Sequence, residues 1–193
     1  EMGSKSEDAV LPLLEDPRAN VRAAACSSLS SMAKKSGASG DVAAKTSALL
    51  SDVSPVVREA AVSALGSMGE EGSAYTDTMK ELVTTDRALA VRASAIRALG
   101  GVGPKGQCYA SDVCRCIYDE FPQVRVAAIE TLAEMGERGA SFADEVAEML
   151  TDVEEGIRVA AVESLGKMGE AAKPFMGAIE TAKADPSKAV QTA

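Results

Sequence analysis

Three of the four cysteines lie close together: Cys108, Cys114 and Cys116, the last two separated only by Arg115. A cluster of this kind could build a soft-metal site or a reactive dithiol. Its spacing argues against both, because residues two apart on a helix point about 200° away from each other. Cys116 stands three places before Asp119, where Leu13, Leu49 and Met149 precede Asp16, Asp52 and Asp152. That register assigns Cys116 to the core. Cys26 shares the position ten after Asp with Val62, Ile96, Ile129 and Val162, and reads as a small buried hydrophobe. Cys108 and Cys114 are then the exposed thiols. The spacings form no disulfide framework and point to a reducing intracellular compartment rather than secretion.

Other chemistry finds little support. The chain has no histidine, which removes the commonest general base and metal ligand at neutral pH. Asp144, Glu145, Glu148, Asp152, Glu154 and Glu155 lack the spacing of a calcium loop and read as a solvated face. Gly100-Gly101-Val102-Gly103-Pro104-Lys105-Gly106 resembles a phosphate loop, but it follows a helical pattern and no Ser or Thr follows the lysine. We assign no catalytic, metal or cofactor residue.

What dominates the sequence is a phrase repeated five times: Asp, four variable residues, Val or Ile, Arg, a small pair, then Leu. It runs from Asp16 to Arg22, Asp52 to Arg58, Asp86 to Arg92, Asp119 to Arg125 and Asp152 to Arg158. Successive arginines are 36, 34, 33 and 33 positions apart. A period of this size means stacked units, each burying its apolar face only against its neighbours. A sixth copy begins at Asp185 and stops, with Gln191 in place of arginine; it reads either as a degenerate terminal cap or, the reading we favour, as an interrupted repeat of a longer protein.

Each unit carries two helices. After the Asp, apolar or small residues at +5, +8, +9, +10, +13 and +16 form one 3.6-residue stripe. This predicts second helices near 18–34, 54–68, 88–102, 121–136 and 154–168. First helices fall near 7–15, 40–51, 73–85, 107–118, 141–151 and 171–184. The Asp and the Pro that often follows it suit a helix start. Gly after the last periodic residue, as in Met68-Gly69 and Met168-Gly169, suits a left-handed cap. The repeats near 7–35, 40–69, 73–103, 107–136, 141–169 and the partial 171–193 make 1–193 a single all-α array.

The phrase Asp-x4-Val-Arg-x-Ala-Ala-x3-Leu-x2-Met-Gly resembles that of HEAT-repeat proteins, especially the short HEAT-like repeats of phycobilisome bilin lyase subunits. The resemblance covers about residues 7–184. It implies a right-handed α-solenoid of five to six two-helix repeats, armadillo-like in architecture. It also implies that Asp16, Asp52, Asp86, Asp119 and Asp152, with Arg22, Arg58, Arg92, Arg125 and Arg158, form a hydrogen-bonded ladder between adjacent repeats. An arginine fork beside a carboxylate makes paired, charge-assisted bonds, which gives this structural reading a physical basis.

For function, the resemblance implies a non-enzymatic interaction scaffold or accessory subunit of a larger complex. The alternative it raises is a bilin lyase-like, chromophore-handling subunit. Second helices usually line the concave side of such arrays. Their non-core positions are small and nearly neutral in the first units, at Ala23, Ser27, Ser30, Ser31, Glu59, Ser63, Gly66 and Ser67, with Ala93, Arg97, Gly100 and Gly101 in the third. They become acidic later, at Glu130, Glu134 and Glu163, beside Val126 and Val159. Residues 1–103 hold 13 acidic and 11 basic side chains, against 16 and 9 over 104–193. The expected partner is a protein of basic character. A net charge of −9 disfavours nucleic acid, and no apolar run is long enough to span a membrane. The start, Glu1 to Asp8, is polar and resembles no targeting peptide.

Overall fold

The computed structural model describes residues 7–37 and 39–193; the first six residues of the polar start, and Ala38 in the first inter-repeat loop, lie outside the described residues. All regular structure among the described residues is helical. The chain forms two compact units, one up to Gly106 and one from Gln107 onward. Unit 1 contains α1 (Ala19–Ser36), α2 (Gly40–Ser47), α3 (Pro55–Gly66), α4 (Thr76–Thr85) and α5 (Leu89–Gly101). Unit 2 contains α6 (Ala110–Arg115), α7 (Pro122–Glu134), α8 (Ala143–Glu148), α9 (Glu155–Met168), α10 (Met176–Ala182) and α11 (Lys188–Thr192).

The second helices carry the core. In unit 1, α3 packs against both α1 and α5, and α4 packs against α5. In unit 2, α7 packs against α9, and α9 against α8 and α11. The predicted stripe is the buried one. Ala25, Ala61, Ala95, Ala128 and Ala161 at +9 are buried, as are Leu29, Leu65, Leu99, Leu132 and Leu165 at +13. Small side chains at +9 let helices approach, and the leucines supply the apolar area, each contributing about 2 kcal/mol on full burial.

The first helices depart from the expected single rods. Four of the segments before an Asp tighten into 3₁₀ turns: Leu11–Glu15, Ala48–Ser51, Cys116–Tyr118 and Met149–Thr151. The tighter turn carries the residue two before Asp inward, and Leu14, Leu50, Ile117 and Leu150 are buried there. Where the helix stays α-helical up to the Asp, as in α4, the residue three before it is buried instead, Val83. This corrects the cysteine assignment. Leu13, in the supposed core column, is 43% exposed. Cys116, in that same column, is only half-buried, whereas Cys114 is buried and not an exposed thiol. Cys26 is fully buried and Cys108 exposed, as the sequence suggests.

Two expected caps take another form. Asp is not the N-cap residue. The cap lies two residues later, and the Asp carboxylate instead accepts that residue's N–H, as with Ser54 N–H to Asp52 at 2.8 Å and Ala88 N–H to Asp86 at 2.8 Å. The glycine closing the second helix has positive φ but is not left-handed helical. Gly69 lies at φ 57°, ψ −123°, a region open essentially to glycine. The reason is that a one-turn helix, Glu70–Ser73, starts immediately, and the chain must turn into it. The sequence reads Gly69-Glu70-Glu71-Gly72 as loop.

Those one-turn helices explain a second glycine. A Cβ on Gly72 would lie 1.9 Å from the carbonyl oxygen of Leu65, and Gly106 and Gly139 meet the carbonyls of Leu99 and Leu132 in the same way. After Leu165 the equivalent residue is Ala172, and there the chain runs as a 3₁₀ helix, Gly169–Phe175. Gly72→Ala should therefore destabilise by about 1–3 kcal/mol, the ordinary cost of overpacking. Gly166→Ala, in the interior of α9 with open space around it, should stabilise by about 0.5–1 kcal/mol. Denaturant unfolding of both variants checks the contrast; equal effects would contradict the close-approach account.

Candidate functional site

The repeat phrase places one arginine in the first turn of each second helix and one aspartate two residues before its cap. This brings the guanidinium of Arg22, Arg58, Arg125 and Arg158 each against two repeats at once. Arg22 donates Nη1–H to the carbonyl of its own Asp16 at 2.8 Å, and Nε–H and Nη2–H to the Asp52 carboxylate at 2.8 and 2.9 Å. Arg58 repeats this, with its own Asp52 carbonyl at 2.8 Å and the Asp86 carboxylate at 2.7 and 2.8 Å. In unit 2, Arg158 bonds the Asp152 carbonyl at 2.9 Å and the Asp185 carboxylate at 2.8 and 3.0 Å. Arg125 bonds the Asp119 carbonyl at 2.9 Å but reaches Asp152 by one longer bond of 3.3 Å. Arg92 is half-buried on α5.

Two residues complete this pattern that the sequence reading did not assign to it. Asp185 is the acceptor for Arg158; its position 33 residues after Asp152 was the available signal. Arg18 holds the Asp16 carboxylate with Nε and Nη2 both at 3.0 Å, the place that an arginine of another repeat takes on Asp52 and Asp86. Gln191 donates to the Asp185 carbonyl at 2.6 Å, reproducing the arginine's inner bond without its charge.

These contacts set the electrostatics. Arg22 hydrogen bonds hold the Asp52 carboxyl below its ordinary value, Arg58 does the same for Asp86, and Arg158 for Asp185. The Arg18 side chain, with its backbone N–H, brings Asp16 down to about 2. The Arg58 and Asp86 side chains are 17% and 4% exposed. The row is engaged within the protein, with little left to meet a ligand.

The cysteines offer one reachable thiol. Burial raises Cys26 to about 11, and burial with the nearby Glu145 and Asp144 charges raises Cys114 to about 11. Cys116 Sγ lies 3.4 Å from the Asp112 carbonyl. Exposed Cys108 accepts from Arg138 Nη1 at 2.9 Å. Among the described residues no group of three or more His, Cys, Asp or Glu side chains is placed to hold a metal ion.

The remaining candidate is the outer ridge of the second helices. Glu134 and Glu163 are exposed on α7 and α9, Glu130 is half-buried, and Arg97 is exposed on α5. Val126 and Val159, expected on the open ridge, are half-buried, because α7 and α9 pack together. Ala23, Ala93 and Gly66 leave the ridge for the core. A Cβ on Gly66 would sit 2.7 Å from the Cα of Ala98, so that glycine serves close helix packing. In unit 1 the ridge encloses two shallow grooves of about 490 and 500 Å³, sharing Ser30 and Ser63.

Family models described as HEAT repeats match residues 112–193, and as HEAT repeat match 8–36 and 47–71. The chain belongs to the HEAT-repeat proteins and is an all-α solenoid. No curated protein sequence matches it. Among solved structures it is similar to the complex of CpcE and CpcF of phycocyanin lyase from Nostoc sp. (15% identity, 96% of this chain and 73% of that chain, TM-score 0.71). It is similar also to an archaeal HEAT-like repeats protein from Thermococcus onnurineus (15%, 98% and 84%, TM-score 0.59) and to an engineered protein (15%, 97% and 92%, TM-score 0.67). At such identity these likenesses speak to fold alone.

Arg58→Ala should cost about 3 kcal/mol, because it strands the Asp86 carboxylate in a half-buried site; Arg87→Ala, at an exposed position, should stay within about 0.5 kcal/mol. Thermal and denaturant unfolding of the two variants gives the comparison, and equal stability would remove the arginine from its structural role. The row also fixes an acid response. The carboxyls of Asp16, Asp52, Asp86 and Asp185 titrate lower in the folded chain than the unfolded value of about 3.9, so the folded state binds fewer protons. Stability from the row is complete above that value and is lost as pH falls through the folded values. The melting temperature should drop below about pH 4, less steeply in Arg58→Ala, in a melting series across that range.

Proposed function

We propose that the chain is a non-enzymatic scaffold or accessory subunit that binds protein partners along the second helices, with the acidic ridge of unit 2 meeting a basic partner. The observation carrying this is the placement of Glu134 and Glu163, both exposed, on two helices packed side by side. Glu130 and Glu163 each stand one helical turn after a half-buried valine, Val126 and Val159, so carboxylates border apolar surface on the same ridge. The arginine–aspartate pairs of the repeat phrase are engaged with one another and do not compete for this role. A pre-formed helical surface costs little to order on binding. The net charge of −9 does not suit a phosphate backbone, and no helix among the described residues is long and apolar enough to cross a membrane.

A second reading, chromophore handling, rests on exposed Cys108 with Arg138 on its sulfur and on the likeness to the phycocyanin lyase subunits. Visible absorbance in the protein purified from its native source would favour it.

Reversing Glu130, Glu134 and Glu163 to Lys should leave helicity intact, since Lys is as good a helix former as Glu. It should slow association with a partner co-purified from the native source and flatten its salt dependence, because exposed charge steers over about 8 Å at physiological ionic strength. Association kinetics at two salt concentrations give the readout. A wild-type rate for the triple variant at low salt would place the binding surface elsewhere.

A further inference from the structure

We propose that the groove between α1 and α3 in unit 1 binds a lysine side chain of a protein partner, aliphatic stem and ammonium together. It uses none of the residues of the acidic ridge. The second repeat exchanges residue types at two positions. At +7 after Asp the other repeats carry Ala23, Ala93, Val126 and Val159, all buried or half-buried. The second repeat places Glu59 there, also half-buried. At +4 the other repeats carry Asn20, Ala90, Gln123 and Gly156, whereas the second carries Val56, 53% exposed. A carboxylate thus stands in an apolar column, and a valine in a column otherwise polar or small. Neither choice serves the packing of the array.

The two residues are three apart on α3 and share a helix face. Both line the groove of about 500 Å³, to which Ala23, Ala24 and Ala60 add methyl groups. Glu59 is the one charge in that lining. Its neighbour Arg58 is committed to the Asp52 carbonyl and the Asp86 carboxylate. Glu59 has no hydrogen-bond or ion-pair partner among the described residues. A half-buried carboxylate without a partner carries a desolvation cost that a bound cation offsets.

The groove's hydroxyls ask for the same ligand. Ser27 and Ser31 donate along α1, to the carbonyls of Ala23 and Ser27 at 3.1 Å each, and Ser30 donates to Ser67 at 3.0 Å. With those protons used, these serines offer a ligand lone pairs. An ammonium brings three donors and no acceptor, and lysine carries it on a stem that packs along apolar surface. A bare divalent cation wants about six or more oxygen ligands and has no use for Val56 and the alanine methyls. The planar fork of arginine suits a bidentate carboxylate rather than acceptors spread around one point. The volume lies within the about 300–1,000 Å³ of ordinary ligand clefts. The groove is shallow, so the lysine enters from a segment lying across it.

The test is a nuclear magnetic resonance titration of the full chain with a short capped peptide that has one lysine between two valines. Circular dichroism verifies the folding of each variant. Saturable shifts should fall on the amides of Ser27, Ser31, Glu59 and Ser63. Glu59→Gln should weaken binding about tenfold or more, the loss of one charge-assisted hydrogen bond. Val56→Ser should weaken it less, and Glu134→Gln with Glu163→Gln should leave it unchanged. On the wild type, a peptide with norleucine in place of lysine should not saturate, and an arginine peptide should bind more weakly. Unchanged binding to Glu59→Gln, equal binding of the norleucine peptide, or tighter binding of the arginine peptide would each overturn the proposal. So would the absence of saturable shifts at Glu59 up to millimolar peptide. Shifts confined to the surroundings of Glu134 and Glu163 would overturn the groove and leave the acidic-ridge reading standing.

Discussion

A guanidinium that must satisfy a carbonyl in its own repeat and a carboxylate in the next sets the spacing of both. Arg22 and Arg58 do this in unit 1, Arg158 in unit 2, each with three bonds of 2.7 to 3.0 Å. Apolar burial could not supply the same information. It is non-directional and scales with area, and a surface of alanine, valine and leucine offers many nearly equal ways to slide. The planar fork accepts few geometries. The same aspartate also receives the backbone N–H two residues on, which fixes the entry to its second helix. One carboxylate thus couples the start of a helix to its distance from the helix before it.

That geometry demands close approach, and small residues provide it. Gly66 lies against the backbone of Ala98, and Gly72 against the carbonyl of Leu65, at separations that admit no side chain. The alanines at +9 serve the same end with a methyl group. The result is a core with little aromatic content, in which short helix separations compensate for the modest area that each residue buries. Where a methyl replaces hydrogen, at Ala172, the local backbone is the 3₁₀ helix Gly169–Phe175 rather than an α-helical turn.

The repeat, its two helices and the buried stripe were legible in the sequence because one period governs them: apolar residues at fixed offsets from Asp. What escaped depends on angles that the period does not encode. Cys116 shares a column with Leu13 and Leu49, and column membership implied burial. A 3₁₀ turn before the Asp rotates the chain by more per residue than an α-helix, and it is Ile117 that points inward. Gly69 was recognisable as a helix end, but the next helix begins one residue later, and only the dihedrals reveal the turn this requires. The arginine–aspartate pairs were legible as chemistry. Their direction, from Arg22, Arg58, Arg125 and Arg158 forward to the following aspartate, needed coordinates. So did Arg18, whose partner is only two residues away and outside the repeat.

The packing also locates where function can vary. In the second helix, +5, +9, +10 and +13 are filled by the stripe, and +6 by the arginine. Changing these disturbs a neighbouring repeat. Positions +11 and +15 face outward from most repeats, and there the chain changes character, from Ser27 and Ser63 to Arg97, then Glu130 and Glu163, and from Ser31, Ser67 and Gly101 to Glu134 and Lys167. A residue held by no packing requirement is free to be chosen for what it meets outside. Solubility alone would be served by either sign of charge, and equally well on the first helices. At +11 the sign passes from Arg97 to Glu130 and Glu163, and an extended surface discriminates by complementary charge more than by buried area.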